Sequence, residues 1–342
     1  MGRGDIFHPL SSKRGIQLNN YEQGDTVKQL AIGYLSTMYH TSHLIRAQRW
    51  MEKELKLQPE WVLFPTGPAM VEAFASGSID LGYIGLPPAM IGMDRGIPMV
   101  CIAGGHAEGT VMIARPGYQG FDTLKGIGAV LSQFKGMRVG APAAGSIHDV
   151  ILRTLICGTG AEIEVVNYPW TDLIPEAIDA GEIEGAVGTP ALAVLGSRWY
   201  GTTTIIPPCE LWPFNPSCGI VVRKEMLGEG QLLPDFLTLH EKACNQIREH
   251  PAEAADIVAG TLKVVDGSFV REVFALSPRY CASLPDGYRR STMAFVAPLK
   301  KLGYLTGDLS EADIFNTSII ETIHPDPDHY SQPARLFAPH SF

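Results

Sequence analysis

Long uninterrupted apolar runs are missing from this chain of 342 residues. Its apolar stretches are broken by Gly, Pro or charge before they reach the roughly 20 residues that span a bilayer, so no transmembrane helix is expected. Basic clusters are missing too. Lysine and arginine total 27 against 36 acidic residues, a net charge of −9, and no Lys/Arg run offers a stripe that could track phosphates. Nucleic acid is therefore not expected as a partner. Only six cysteines occur, at 101, 157, 209, 218, 244 and 281, with no Cys-x-x-Cys pair. Scattered thiols fit free cysteines better than a disulfide framework, with a Cys209–Cys218 bridge as the alternative in an oxidising compartment.

Catalytic signatures are absent as well. There is no Gly-x-Ser-x-Gly elbow, no Walker loop and no His-Glu-x-x-His, and the histidines and cysteines show no metal-ligand spacing. The segment His-Pro-Asp-Pro-Asp-His at 324–329 reads as solvated tail rather than metal site, because its prolines prevent helical presentation. No enzyme activity, cofactor or metal is expected. Residues 1–23 are polar and carry no apolar core, so no secretory signal is visible. The chain reads as cytoplasmic as written, and as periplasmic or surface-held if a leader was removed.

What the chain does contain is an internal echo. Glu72-Ala-Phe-Ala-Ser-Gly-Ser-Ile-Asp80 leads into Gly85-Leu-Pro87, and Glu176-Ala-Ile-Asp-Ala-Gly-Glu-Ile-Glu184 leads into Gly188-Thr-Pro190. Each pairs a helix end with a short strand and a Gly-x-Pro turn. Each is preceded by a strand expected to break at glycine and enter a helix, Leu30-Ala-Ile-Gly33 and Met137-Arg-Val-Gly140. A duplicated β-loop-α unit predicts two similar lobes facing one another across a cleft.

Hydrophobic periodicity predicts strands at 27–33, 61–64, 81–84 and 99–103, and helices at 42–55, 68–75 and 88–93. Further helices are expected at 233–249, 251–259, 267–275 and 287–302. Strands alternating with helices imply an α/β fold with mainly parallel sheets covered on both faces. Val111-Met-Ile-Ala-Arg115 and Gly219-Ile-Val-Val-Arg223 look alike and bracket the second repeat, so they read as crossover strands. The expected organisation is an N-terminal arm at 1–26, a discontinuous first lobe at 27–114 plus 217–323 that carries the C-terminal helices, a second lobe at 115–216, and an extended tail at 324–342.

Candidate contacts cluster at strand ends, where open α/β sheets hold their ligands. Gly140-Ala-Pro-Ala-Ala-Gly-Ser146 with His148 ends a strand and starts a helix, whose free N–H groups hold anions without Lys or Arg. Ala144, Gly145, Ser146 and His148 are the candidates there, with Ser146 as a helix cap being the plainer reading. The matching turn of the first lobe supplies Ser36, Thr37, Tyr39 and His40. Thr66 and Gly67 follow the second strand. Gly85 and Leu86 end one repeat, Gly188 and Thr189 the other; Thr189 is the preferred contact of this set and Leu86 a wall residue. Trp170 and Trp212, each beside a proline, either cover a ligand's apolar part or pack between lobes. Arg115 and Arg223 are expected to anchor the hinge.

In order and spacing these features resemble the solute-binding proteins of ABC importers, of the nitrate/sulfonate/taurine type. The resemblance runs over about residues 27–324 and also rests on Leu302-Gly-Tyr-Leu305 and Asp313-Ile-Phe-Asn-Thr-Ser318. It implies a two-lobed type II periplasmic-binding fold that closes by a hinge on a small anionic ligand, a sulfonate or other oxyanion. It also implies an ABC permease as partner if the chain is exported. Two other readings stay open. One is a cytoplasmic subunit, carrier or sensor whose terminal arms dock on a protein partner. The other is an enzyme of the thiamine-pyrimidine or menaquinone-pathway type on the same fold, although no cysteine-rich motif like that of the pyrimidine synthases is present.

Overall fold

A computed structural model describes residues 30–330. The N-terminal arm, the start of the first expected strand and residues 331–342 lie outside the described residues.

Two sheets form the frame. The first is built from β1 (Ala31–Leu35), β2 (Glu60–Phe64), β3 (Leu81–Ile84), β4 (Met99–Ala107), β10 (Cys218–Arg223) and β11 (Arg279–Tyr280). The second holds β5 (Val111–Ala114), β6 (Arg138–Pro142), β7 (Glu164–Tyr168), β8 (Gly185–Gly188) and β9 (Thr203–Ile206). Their strand orders are β11-β4-β10-β3-β1-β2 and β7-β6-β8-β5-β9. In the first sheet β2, β1 and β3 run parallel and β10 lies antiparallel to β3. In the second, β7, β6 and β8 run parallel and β5 lies antiparallel to β8. The two sheets therefore share one plan, three parallel strands followed by an antiparallel one. The antiparallel strand of each follows a crossing of the chain between sheets, at 108–110 and at 207–217.

The repeat explains this likeness at the level of single side chains. β1 and β6 do not break at their glycines; they run on to Leu35 and Pro142. A Cβ on Gly33 would stand 2.9 Å from Ile79 Cδ1, and one on Gly140 would stand 2.6 Å from Ile183 Cδ1. Ile79 and Ile183 are the matching isoleucines of the two echoes. Each sits on the bare backbone of the strand that its own strand pairs with, so glycine supplies room here and the strand continues. The helix ends Gly77 and Gly181 share a left-handed φ of 71°, the C-cap geometry glycine adopts without strain.

Other boundaries shift for local reasons. The helix expected over 42–55 divides into Ser42–Gln48 and Trp50–Glu54 because Arg49 takes φ 54°. That over 287–302 divides into Asp286–Met293 and Val296–Lys301. All six cysteines are free. No helix among the described residues is long and apolar enough to cross a membrane. The segment from 324 is not solvated as expected. His324 and Tyr330 are buried, and the Tyr330 hydroxyl donates to Cys281 O at 2.6 Å and accepts from Gly105 N at 3.2 Å.

Candidate functional site

All six parallel strands point their carboxyl ends at one place. β1 delivers Ser36, Thr37, Tyr39 and His40; β2 delivers Thr66 and Gly67; β3 delivers Gly85. From the other sheet, β6 delivers Ser146 and His148, β7 delivers Thr171, and β8 delivers Thr189. These residues line a cavity of about 40 Å³, room for about three waters at the 10–15 Å³ each needs. A larger cavity of about 350 Å³ adjoins it and shares Ser36, Thr37, Thr171 and Thr189. Its other walls are mostly apolar, including Met38, Leu192, Leu195, Val265 and Phe269. The whole is a polar floor beneath an apolar antechamber.

Four helices begin at the floor: Gly67–Ser76, Leu86–Asp94, Ile147–Thr159 and Pro190–Trp199. Three carry hydroxyl caps. Thr66 Oγ1 accepts from Ala69 N at 3.4 Å, Ser146 Oγ from Asp149 N at 3.3 Å, and Thr189 Oγ1 from Leu192 N at 3.2 Å. A hydroxyl that accepts still has its own proton to donate. The first N–H groups of a helix have no intrahelical acceptor. The caps satisfy Ala69, Asp149 and Leu192, and the amides before them in each first turn lie beyond intrahelical reach. Converging helix N-termini make the floor electropositive without a formal charge. Among the described residues no lysine or arginine lines either cavity, and the one carboxylate, Asp172, lies in the larger.

Two side chains of the floor are left short of partners. Among the described residues, buried His40 finds no hydrogen-bond partner for Nδ1 or Nε2, and the buried Thr37 Oγ1 finds none either. Buried polar atoms normally find partners, so two such residues facing one cavity mark a place built for something else. Burial holds His40 well below the usual imidazole range, with further lowering from the neighbouring His106. Burial alone pushes His148 down to about 4. Both rings are neutral at pH 7, so each offers one donor and one acceptor. His148 Nδ1 is engaged by Thr110 Oγ1 at 3.1 Å. Tyr39 is buried, its hydroxyl donating at 3.5 Å to Gly109 O.

Asp149, absent from the sequence candidates, holds the Ser146 turn in place. Fully buried, it accepts from Gly145 N at 2.9 Å, Tyr304 OH at 2.8 Å, Arg153 Nε at 2.7 Å and Asn167 Nδ2 at 2.8 Å. Burial, and then the bond to this carboxylate, pushes the Tyr304 phenol up to about 12. A signal existed: Ser146-x-x-Asp149 is spelled as a capping pair at a helix start.

Of the sixteen sequence candidates the small cavity brings together ten: Ser36, Thr37, Tyr39, His40, Thr66, Gly67, Gly85, Ser146, His148 and Thr189. The other six lie elsewhere. Leu86 is a core residue packed over Gly219. Ala144 is exposed, and Gly145 faces Ile91 and Tyr304 with its N–H spent on Asp149. Gly188 lies under Leu192. Trp170 is exposed and borders neither cavity, while Trp212 stacks on Phe295 at 4.0 Å. Arg115 pairs with Glu184 at 3.5 Å and Arg223 with Glu225 at 2.7 Å, both away from the cavities. Thr171 and Ser217 line the small cavity and were missed. Thr171 was findable: Tyr168-Pro169-Trp-Thr171 follows β7 as Phe64-Pro65-Thr66 follows β2.

Comparison with known proteins agrees with this architecture. A sequence model described as the NMT1-like family matches residues 23–263. "Putative binding protein BAB2_1146" of Brucella abortus (strain 2308) is 23% identical over 240 residues, 68% of this chain and 71% of that one. Among solved structures, the ligand-binding component of an ABC-type import system from Staphylococcus aureus, with zinc bound, superposes at a TM-score of 0.74. It is 18% identical, with 87% of this chain and 100% of that one covered. The alkanesulfonate-binding protein SsuA of Xanthomonas axonopodis pv. citri, bound to MOPS, gives 0.70 at 17% identity, covering 84% and 98%. The periplasmic nitrate-binding protein NrtA of Synechocystis PCC 6803 gives 0.69 at 13%, covering 87% and 88%. The fold is thus that of the periplasmic binding proteins, and these relatives bear names of binding proteins rather than enzymes.

Proposed function

This chain belongs to the NMT1-like family, and from that premise we propose that it is the solute-binding component of an ABC importer, closing on a small anionic solute between its two sheets. The observation that carries this reading is the floor itself. Hydroxyls, two neutral imidazoles and first-turn amides come from the ends of five of the six parallel strands, drawn from both sheets, and among the described residues no cationic side chain lines the cavity. Such a floor suits an oxyanion head, a sulfonate or carboxylate, whose charge is met by helix N-termini. The apolar antechamber suits an organic remainder. Residues 27–114 with 217–323 and residues 115–216 act as the two lobes, hinged at the two crossings. Contacts to both lobes exist together only when the cleft is closed, so the solute shifts the population toward closure. The closed form would present itself to a membrane permease.

Ser146 and Thr189 test the head-group site from the carboxyl ends of two neighbouring parallel strands, β6 and β8. The double variant Ser146→Ala with Thr189→Val is expected to weaken binding of the co-purifying anion by at least about 1 kcal/mol, one or two lost hydrogen bonds. Calorimetry that returns an unchanged affinity would remove both from the site.

A further inference from the structure

Among residues that line neither cavity, a second set of polar side chains converges. Cys281 follows β11, His324 ends the helix Ser318–Ile323, and His329 lies five residues on. His324 Nε2 stands 3.1 Å from His329 Nδ1, and Cys281 Sγ stands 3.4 Å and 3.8 Å from those two atoms. Glu241, from the helix Leu232–Glu249, places Oε1 3.7 Å from both imidazole nitrogens. The Cys281 and His324 side chains are buried, and those of Glu241 and His329 are 12% and 24% exposed.

We infer that Cys281, His324 and His329, completed by Glu241, form a structural site for one divalent metal ion of the zinc type. Donors at bond lengths of about 2.0–2.3 Å around a tetrahedral centre stand roughly 3.3–3.8 Å apart, and the separations here fall within or close to that window. The surroundings are prepared as well. His324 Nδ1 faces Asp326 O at 3.0 Å. That bond takes the ring proton and turns the Nε2 lone pair inward, the orientation that metal-bound imidazoles receive from their outer partners. Cys281 Sγ is approached by Ser283 Oγ at 3.0 Å and by the His329 N–H at 3.4 Å, two groups suited to a thiolate. Glu241 Oε2 accepts from Ala282 N at 3.0 Å, which fixes the carboxylate. Arg248 NH1, 3.7 Å from Glu241 Oε1, offsets the negative charge.

One thiolate with two imidazoles selects zinc-like ions over magnesium or calcium. Four protein donors leave no open position, so the site is structural rather than catalytic. Its work is to hold the segment 324–330 against β11 and the helix bearing Glu241. The prolines at 325 and 327 serve this purpose: they keep the segment out of a helix and let His324 and His329 meet in a short turn.

The full chain, stripped with chelator and titrated with Zn²⁺ and then Co²⁺, tests the assignment. One equivalent per chain is expected, with a higher thermal midpoint and a thiolate-to-cobalt charge-transfer band. Cys281→Ser should abolish the band. His329→Ala, at a partly exposed position, should weaken binding at least by the roughly 10–100-fold that losing an outer-shell partner costs. A folded chain that takes up no stoichiometric metal would overturn the site, and so would a cobalt band that survives Cys281→Ser. Among the described residues no cysteine lines either cavity, so metal bound there gives no such band, and the solute-binding reading stands or falls separately.

Discussion

Unfolding free energy should collapse as the pH falls from 6.5 toward 4. His43, His106, His148 and His240 are each pushed from the ordinary 6.5 down to about 4, burial being the first cause in every case, and burial likewise holds His40 well below the ordinary value. The sign follows from proton counting. Below pH 6.5 the unfolded chain protonates these rings, while the folded chain keeps them neutral until about pH 4. The unfolded state therefore binds more protons across this window, and stability falls with the pH. At pH 5 each ring accounts for up to about 2 kcal/mol. Together they rival the roughly 5–15 kcal/mol that holds a typical domain folded. Urea melts at pH 7.5, 6 and 5 should show a steep fall in midpoint. A midpoint independent of pH over that range would show that the rings take up protons in place.

Asp149→Ala should cost about 3–5 kcal/mol, the penalty for breaking a buried ion pair from one side. Four donors lose their acceptor at once, and Arg153, two-thirds buried, keeps a charge with no carboxylate beside it. Asn167 would still be held by Pro142 O at 2.6 Å, so the damage should centre on Gly145 and the helix start. Denaturant titration measures it. A loss below about 1 kcal/mol would mean that water replaces the carboxylate and that the Ser146 turn is held by other means.

The sequence is legible here wherever the signal is local. Thr66, Ser146 and Thr189 stand out because a hydroxyl before a helix is a short-range pattern, and the echo of 72–87 in 176–190 reappears as two sheets of one plan. Meaning that depends on a distant neighbour was hidden. Gly33 and Gly140 read as strand breaks because the isoleucines they accommodate lie 46 and 43 residues away. His40 is recognisable as a donor, but that its ring lacks partners is a property of packing. Arg49 in a left-handed conformation has no sequence marker, so two helices read as one. Leu86 and Gly188 stand beside strand-end turns in the sequence, and their burial in the core, against Gly219 and Leu192, depends on packing. The thiol at 281 and the histidines at 324 and 329 meet only through tertiary structure, which no spacing in the sequence announces.

His40 offers the most direct test that the floor is a ligand site. Leucine at this position has similar bulk and no polar atom, and the ring makes no hydrogen bond that would be lost. The folded protein should therefore be as stable with His40→Leu as without it, or slightly more so. Native mass spectrometry of the two proteins, purified side by side from the native host, should find a small anion retained by the parent chain and missing from the variant. The same adduct on both would contradict the account, as would a variant that loses the anion only because it no longer folds.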